Sequence, residues 1–262
     1  MASITLPGGS KITVGNGNDT ITVLGRGTVI AGDGNDSITI DGKGKVTVGN
    51  GNDTVNVLGK GTVVAGDGND SVTIDGKGKV TVGSGNDTVT LGTGDDTVFA
   101  AGHATIQGAF GSASIVGGTF ELVQGCGFTE ELAKGGQATL LGATGGAPEF
   151  ISQGGRATLQ IGAGGDTFRA GGGHETMTGG TGTSNLFEFT HGTHGGSYVI
   201  TNFVSGSDHL YLEGHSLAYL HAHGDISSCG GNTYISLDGG HTTIELQGIS
   251  SLKASDITTH KP

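Results

Sequence analysis

A five-residue motif, Gly-x-Gly-x-Asp, contains the residues of this sequence that are best suited to binding a metal ion. Glycine adopts positive φ angles that let backbone carbonyls converge on one point. Aspartate supplies a hard anionic oxygen of the kind that Ca²⁺ prefers, among about six to eight oxygen ligands. One turn offers too few oxygens, so we expect each ion to be shared between turns of adjacent repeats. Five copies lie 17 residues apart and a sixth follows after nine, beginning at Gly15, Gly32, Gly49, Gly66, Gly83 and Gly92.

The fifth position of the motif is aspartate in every copy, although asparagine and serine form turns equally well. Turn propensity alone would let these residue types interchange. We expect the aspartates to stack in a column at the strand spacing of about 4.8 Å. Neighbouring charges at that distance repel by roughly 3–4 kcal/mol at an effective dielectric of about 20, so the column should require cations. Its members are Asp19, Asp36, Asp53, Asp70, Asp87 and Asp96.

The elements that position these turns are short strands rich in Val, Ile and Thr. Residues 15–48 and 49–82 are near-duplicates, and each 17-residue unit holds two strands and two turns. Because side chains alternate between the faces of a strand, we expect Ile21 and Val23 to point inward and Thr22 outward. The sequence therefore predicts an all-β fold, a flattened parallel solenoid with a narrow aliphatic core.

The second turn of each unit lacks a repeated aspartate ligand. It carries a basic residue instead, and we expect this edge to bind no cation. Asp41 and Asp75 lie in two of these turns and are expected near lysine side chains. The basic residues are Arg26, Lys43, Lys60 and Lys77.

The motif followed by x-U-x, where U is a large aliphatic residue, resembles the nonapeptide of RTX (repeats-in-toxin) proteins. The resemblance covers residues 15–100, returns at Gly162–Phe168, and weakens at Gly171–Glu175 and Gly180–Ser184, where Glu and Ser replace Asp. It implies a calcium-loaded, right-handed parallel β-roll. The implied calcium residues are Gly15, Asn16, Gly17, Asn18, Asp19, Gly32, Asp33, Gly34, Asp36, Gly49, Asn50, Gly51, Asp53, Gly66, Asp67, Gly68, Asp70, Gly83, Gly85, Asp87, Gly92, Gly94, Asp96, Gly162, Gly164 and Asp166.

Four segments are expected along the chain. Residues 3–100 form the calcium-loaded roll, 101–160 a metal-poor continuation, 161–186 degenerate repeats and 187–262 a C-terminal cap. Residues 198–212 resemble the β-sandwich-like flank of RTX domains, which usually precedes an uncleaved signal for type I secretion. The resemblance implies a Gram-negative bacterial source and an extracellular or cell-surface location.

Charge and composition exclude several classes of function. The net charge of −12 disfavours nucleic acid, whose binding needs clustered Lys and Arg. No apolar run approaches the roughly 18 residues of a membrane span, and the N-terminus lacks the pattern of a cleaved signal peptide. Cys126 and Cys229 are compatible with a disulfide or with two unpaired thiols.

No motif of an active site is present, and we expect the chain not to be an enzyme. His191 with His194, or His221 with His223, would be the candidates for a transition-metal site. No HExxH, GxSxG or P-loop pattern accompanies them. A calcium module of a larger secreted enzyme or adhesin remains an alternative, although the solenoid pattern begins at residue 3 and leaves no space before it for a catalytic domain.

The first coil suggests self-association. Residues 3–14 align with residues 37–48, so the pattern begins without a capping element, and an open end presents unpaired strand edges. We expect a secreted matrix protein that assembles as a fibre or layer, with a cell-surface polysaccharide as a possible partner. Outward Thr and Ser columns, such as Thr20 with Thr22, keep a carbohydrate- or ice-binding solenoid as an alternative; Thr also favours exposed strand positions.

Overall fold

Short strands follow the Gly-x-Gly-x-Asp turns and stack in parallel, which confirms the predicted all-β solenoid. A computed structural model describes residues 3–110, 113–116, 119–123, 129–132, 136–141, 149–152, 155–160, 165–180, 184–190 and 195–259. The chain divides into two compact units, Met1–Gly125 and Cys126–Pro262. Each unit is described by itself.

The first unit contains two parallel sheets that receive strands in alternation. The first sheet has the order β1-β3-β5-β7-β9-β11-β13-β15, and the second β2-β4-β6-β8-β10-β12-β14. The strands are β1 (Ser3–Pro7), β2 (Ser10–Thr13), β3 (Thr20–Leu24), β4 (Gly27–Ile30), β5 (Ser37–Ile40), β6 (Gly44–Thr47), β7 (Thr54–Val57), β8 (Gly61–Val64), β9 (Ser71–Ile74), β10 (Gly78–Val82), β11 (Asn86–Thr93), β12 (Asp96–Ala100), β13 (His103–Phe110), β14 (Ala113–Val116) and β15 (Thr119–Val123).

The second unit repeats this alternation and ends in an antiparallel hairpin. One sheet has the order β17-β19-β21-β23-β27-β26-β25, and the other β16-β18-β20-β22-β24-β28. Its elements are β16 (Thr129–Leu132), β17 (Gly136–Leu141), β18 (Glu149–Ser152), β19 (Gly155–Gln160), β20 (Thr167–Arg169), β21 (Gly173–Thr178), β22 (Leu186–Phe189), β23 (Gly196–Thr201), β24 (His209–Leu212), helix α1 (Leu217–His223), β25 (Ile226–Cys229), β26 (Asn232–Leu237), a 3₁₀ turn (Asp238–Gly240), β27 (Thr242–Leu246), a 3₁₀ turn (Ala254–Asp256) and β28 (Ile257–Thr258).

The strand register of the first unit follows the 17-residue repeat. Ile21 pairs with Ile38, and Ile38 with Val55, so aliphatic side chains stack on their equivalents in the next coil. Ile21 and Val23 are fully buried, whereas Thr20 between the turn and Ile21 is exposed. The predicted alternation is therefore confirmed. Burial of this stripe supplies the hydrophobic stabilisation of the coils, at about 1.5–3 kcal/mol per large aliphatic side chain.

The sixth motif lies on the opposite edge of the solenoid from the other five. Nine residues are about half of a 17-residue coil. The sixth motif therefore lies between β11 and β12, in the place of a second turn, whereas the other five occupy first turns. Thr97 pairs with Lys79, which places Asp96 beside Gly78. Ala104 takes the place above Asp87. The single column of six aspartates expected from the sequence is thus a column of five, and Asp96 stands apart.

The first coil is paired on one side only among the described residues. β1 pairs in parallel with β3, and β2 with β4. The inward residues Ile4, Leu6 and Ile12 remain partly exposed, while their equivalents in later coils are buried. Pro7 is the last residue of β1.

The second unit has a more aromatic core. The rings of Phe168 and Phe187 stack with centroids 4.9 Å apart, and Tyr198 is buried against Phe189. Parallel pairing continues through β24, which lies in the segment expected to form the cap, and then passes to β27 and β28.

Helix α1 and the cysteines complete the second unit. Ser216 caps the N-terminus of α1, and Gly224, at φ 73°, ends it. No helix among the described residues is long and apolar enough to cross a membrane. Cys229 is an exposed free thiol, and Cys126 lies outside the described residues.

Candidate metal centre

Three ladders of side chains hold the Gly-x-Gly-x-Asp turns together. The first outer ladder uses the second position of the motif. The Oδ1 atom of Asn16 accepts a hydrogen bond from the backbone N–H of Asp33 at 3.1 Å, and that of Asp33 accepts from Asn50 at 2.9 Å. Asn50 and Asp67 continue the pattern towards Ser84. One acceptor oxygen is enough here, which explains why Asn and Asp interchange at this position.

The second outer ladder uses the fourth position, which is asparagine in the five copies on this edge. The Oδ1 atom of Asn18 accepts from the N–H of Asn35 at 2.9 Å, and Asn52 accepts from Asn69 at 2.8 Å. Both outer ladders are exposed. Their Oδ1 acceptors are satisfied by the backbone of the next coil.

The inner ladder uses the fifth position and runs in the opposite direction. The Oδ1 atom of Asp36 accepts from the backbone N–H of Asp19 in the preceding coil at 2.8 Å. Asp53, Asp70 and Asp87 repeat this contact at 2.8–3.0 Å. These side chains are at most 2% exposed. This reversal could not be predicted from the sequence, because the direction of a ladder depends on which face the side chain takes.

The second carboxylate oxygen distinguishes the inner ladder from the outer ones. Oδ2 of each inner aspartate after Asp19 is buried and has no hydrogen-bond partner. An asparagine could accept the same N–H through Oδ1, so the hydrogen bond does not explain why aspartate occurs in every copy. A buried oxygen without a partner is costly. The atoms are Oδ2 of Asp36, Asp53, Asp70 and Asp87.

Burial makes ionisation of these aspartates unfavourable. Loss of water around the carboxyl group raises the pKa of Asp53 to about 6, although the N–H of Asp36 acts against the shift, and the charges of Asp70 and Asp36 add to it. The pKa of Asp87 is likewise raised to about 6, first by burial. Burial also raises the pKa values of Asp36 and Asp70. At neutral pH these carboxyls are ionised at a cost in free energy, which a bound cation would offset.

The glycines of the turn let the backbones of adjacent coils approach closely. Gly51 has φ 139°, and a Cβ atom there would lie 2.2 Å from the carbonyl oxygen of Gly34. At Gly68 the corresponding carbonyl, that of Gly51, would lie 1.9 Å away. Only glycine permits this approach. No three His, Cys, Asp or Glu side chains converge among the described residues, so a cation in the ladder would need these carbonyls as further ligands.

The remaining predicted aspartates have different surroundings. Asp96 accepts from the N–H of Gly78 at 2.5 Å on the opposite edge, and burial raises its pKa. Burial raises the pKa of Asp166 to about 6. Gly162 and Gly164 lie outside the described residues. The structure therefore brings together five of the predicted aspartates in one ladder and places two elsewhere.

A short ladder in the second unit has the same form, and sequence inspection missed it. The backbone N–H of Asp166 donates to Oδ1 of Asn185 at 3.3 Å, and the N–H and side-chain amide of Asn185 both donate to Oδ1 of Asp208. Oδ2 of Asp208 accepts from Val204. Every polar atom of Asn185 named here has a partner, so an amide replaces a carboxylate without a metal ion. The 19- and 23-residue spacings hid this relation in the sequence.

The histidines considered as metal ligands are not assembled into a site among the described residues. His223 bonds through Nδ1 to the carbonyl of Tyr219 within α1, and its ring stacks on that of Tyr219. His221 is exposed on the same helix. His191 and His194 lie outside the described residues.

Comparison with known proteins adds no relative. No family model matches the chain, and no curated protein matches it.

Proposed function

We propose that this chain is a calcium-binding structural solenoid of the RTX type, not an enzyme, that acts outside the cell. The observation that carries the proposal is the row of buried Oδ2 atoms without partners along the inner ladder. A carboxylate in every coil is unfavourable unless positive charge lies between the coils. Ca²⁺ supplies that charge and accepts the irregular oxygen geometry of stacked turns.

Each ion would lie between successive inner aspartates. Oδ2 of Asp36 and of Asp53 would be ligands, together with turn carbonyls such as that of Gly34. Mg²⁺ suits this arrangement less well, because it demands near-octahedral geometry and gives up its water reluctantly. Weak sites of this kind match the millimolar calcium of extracellular fluids, which is the argument for secretion.

The test is the response of the fold to calcium removal. We expect the β-sheet circular dichroism signal to fall in excess chelator at pH 7.5 and to return with Ca²⁺ but far less with Mg²⁺, because metal binding and folding are coupled. A spectrum that is the same in chelator and in millimolar calcium would refute the proposal.

Self-assembly is the second part of the proposal. The partly exposed inward residues of the first coil, Ile4, Leu6 and Ile12, lie on strands with a partner on one side only among the described residues. Addition of strands from a second copy would cover this stripe and pair the backbone. A head-to-tail contact does not close on itself, so it would propagate as a fibre or layer.

This part is tested with paired substitutions on the same strands. Ile4→Glu with Ile12→Glu places charges on the inward face, and we expect it to abolish assembly in millimolar calcium. Thr5→Glu with Thr13→Glu is the matched control, because both threonines are exposed. Light scattering and negative-stain microscopy report assembly. Equal assembly of both variants, or a parent protein that stays monomeric, would contradict the proposal.

A further inference from the structure

A basic groove runs along the edge of the first unit opposite the inner ladder. Every Lys and Arg of residues 1–125 lies at this edge. One column occupies the second turns of four successive coils, with one cation in each. A second column lies two residues further on, on β2, β6 and β10, with a cation in every second coil. The columns are Arg26, Lys43, Lys60 and Lys77, and Lys11, Lys45 and Lys79.

The strand pattern explains why a groove separates the columns. Lys43, in the turn before β6, and Lys45, on β6, are both exposed. Gly44 between them is buried, and a Cβ there would meet Ile40 and Val57 at 3.0 Å in the core. Backbone therefore forms the floor between two rows of long cationic side chains. The groove has a volume of about 480 Å³ and is lined by Lys11, Arg26, Lys43 and Lys45 with Thr28 and Thr62.

The cations of the groove are available for a ligand. All are exposed. Within the described residues, Lys77 alone among them forms an ion pair, with Asp95 at 3.5 Å. Asp41 and Asp75 make no ion pair within 4 Å among the same residues. The edge retains a net positive charge, although the chain as a whole carries −12.

We propose that the basic groove binds a linear anionic polysaccharide that lies along the solenoid axis. Cations repeat along the groove at the strand spacing of about 4.8 Å, which is comparable to the length of one sugar ring. A chain with one carboxylate or sulfate on each sugar therefore places an anion at each coil. Thr28 and Thr62 alternate with the lysines of the second column and offer hydroxyl groups to the sugar.

Two other occupants fit the groove less well. A single-stranded nucleic acid would need a row of aromatic side chains for base stacking. None lines the groove between Lys11 and Thr62, and Phe99 is a single ring beneath Lys79 at its end. The acidic edge of a second copy presents outward carboxylates only at Asp33 and Asp67, in every second coil. The turn column of the groove carries a cation in every coil, so a regular polyanion matches it better.

The test is a titration of the intact protein with a fluorescently labelled octamer of galacturonate, followed by anisotropy at low salt in calcium. A sulfated octasaccharide distinguishes carboxylate from sulfate recognition, and a neutral maltooctaose is the control ligand. We expect both anionic probes to bind and binding to weaken as salt rises. The triple variant Arg26→Gln, Lys43→Gln, Lys45→Gln should lose about tenfold in affinity, since each exposed ion pair contributes modestly.

Arg156→Gln is the matched control, because Arg156 is exposed in the second unit, away from the groove residues in sequence. It should bind like the parent. Equal binding of the triple variant and the parent, or equal binding of the neutral probe, would overturn the proposal. So would tighter binding of a labelled oligodeoxynucleotide, or self-association that disappears in the triple variant while the glycans do not bind. Circular dichroism of each sample shows whether the coils are folded, so failure here is separable from failure of the calcium proposal.

Discussion

The substitution Asp53→Asn separates the two roles of the inner ladder. Asparagine has the same shape as aspartate and keeps the Oδ1 atom that accepts the backbone N–H of Asp36. Only the charge and the second oxygen are lost. We expect opposite effects of this substitution on stability in chelator and in calcium.

The magnitude in chelator follows from the pKa of Asp53, which burial raises to about 6. An ordinary aspartate has a pKa near 4, and one pH unit corresponds to about 1.4 kcal/mol, so ionisation at pH 7.5 costs the metal-free fold about 2–3 kcal/mol. Asp53 is 1% exposed, so water screens this cost little. The new amide N–H₂ lacks an assured acceptor, which costs about 1 kcal/mol. The free energy of unfolding should therefore rise by about 1–2 kcal/mol.

In millimolar calcium the sign reverses. Asp53 would be a ligand in the gaps on both sides of its coil, and a tenfold loss of affinity at one gap lowers the free energy of unfolding by about 1.4 kcal/mol. Urea unfolding followed by circular dichroism measures both effects. Asp67→Asn is the matched control, because Asp67 is exposed and its Oδ1 accepts the N–H of Ser84. It should change stability by less than about 0.5 kcal/mol in either condition. A lower free energy of unfolding for Asp53→Asn than for the parent in chelator would refute the predicted cost of the ionised Asp53.

Three further predictions concern pH, packing and the second unit. The folded pKa values of Asp53 and Asp87 lie above the unfolded values, so their protons stabilise the metal-free fold below about pH 4, and this stability is lost as pH rises through about 6; a chelated sample should therefore melt at a lower temperature at pH 7.5 than at pH 4.5, and the reverse order would contradict it. Gly49→Ala places a Cβ 2.5 Å from the preceding coil and should cost about 2 kcal/mol or more in urea unfolding, whereas Gly15→Ala, with nothing within 4 Å, should cost little. Asn185→Asp puts a third carboxylate between those of Asp166 and Asp208, so it should lower the melting temperature in chelator and make it sensitive to calcium; an unchanged melting temperature in both conditions would count against the ladder.

The repeat made much of the first unit predictable. With a strict 17-residue spacing and alternating Val, Ile and Thr, a single register buries Ile21, Val23 and their equivalents in the later coils. The nine-residue step before Gly92 contained the information that Asp96 changes edge, since it is half a coil. The prediction of a single column of six aspartates was wrong because it used the motif alone and not the length of chain between copies.

The ladders could not be predicted in the same way. Asn16, Asn18 and Asp19 all occur in one turn, and their residue types do not tell which N–H each oxygen accepts. That choice depends on which side chain points inward and on the offset between coils. The hydrogen bond between Asn185 and Asp208 is harder to predict, because their spacing departs from the repeat. The two side chains come together only when strands β20, β22 and β24 stack.

The most direct measurement of the central claim is a crystal structure grown in millimolar calcium, with anomalous difference density collected at long wavelength. We expect peaks between successive coils of the inner ladder, each beside an Oδ2 atom of Asp36, Asp53 or Asp70. We expect no such peaks along the outer ladders, whose exposed oxygens accept backbone N–H groups. Inner carboxylates without anomalous density in folded, calcium-soaked crystals would contradict the claim that calcium holds these coils together.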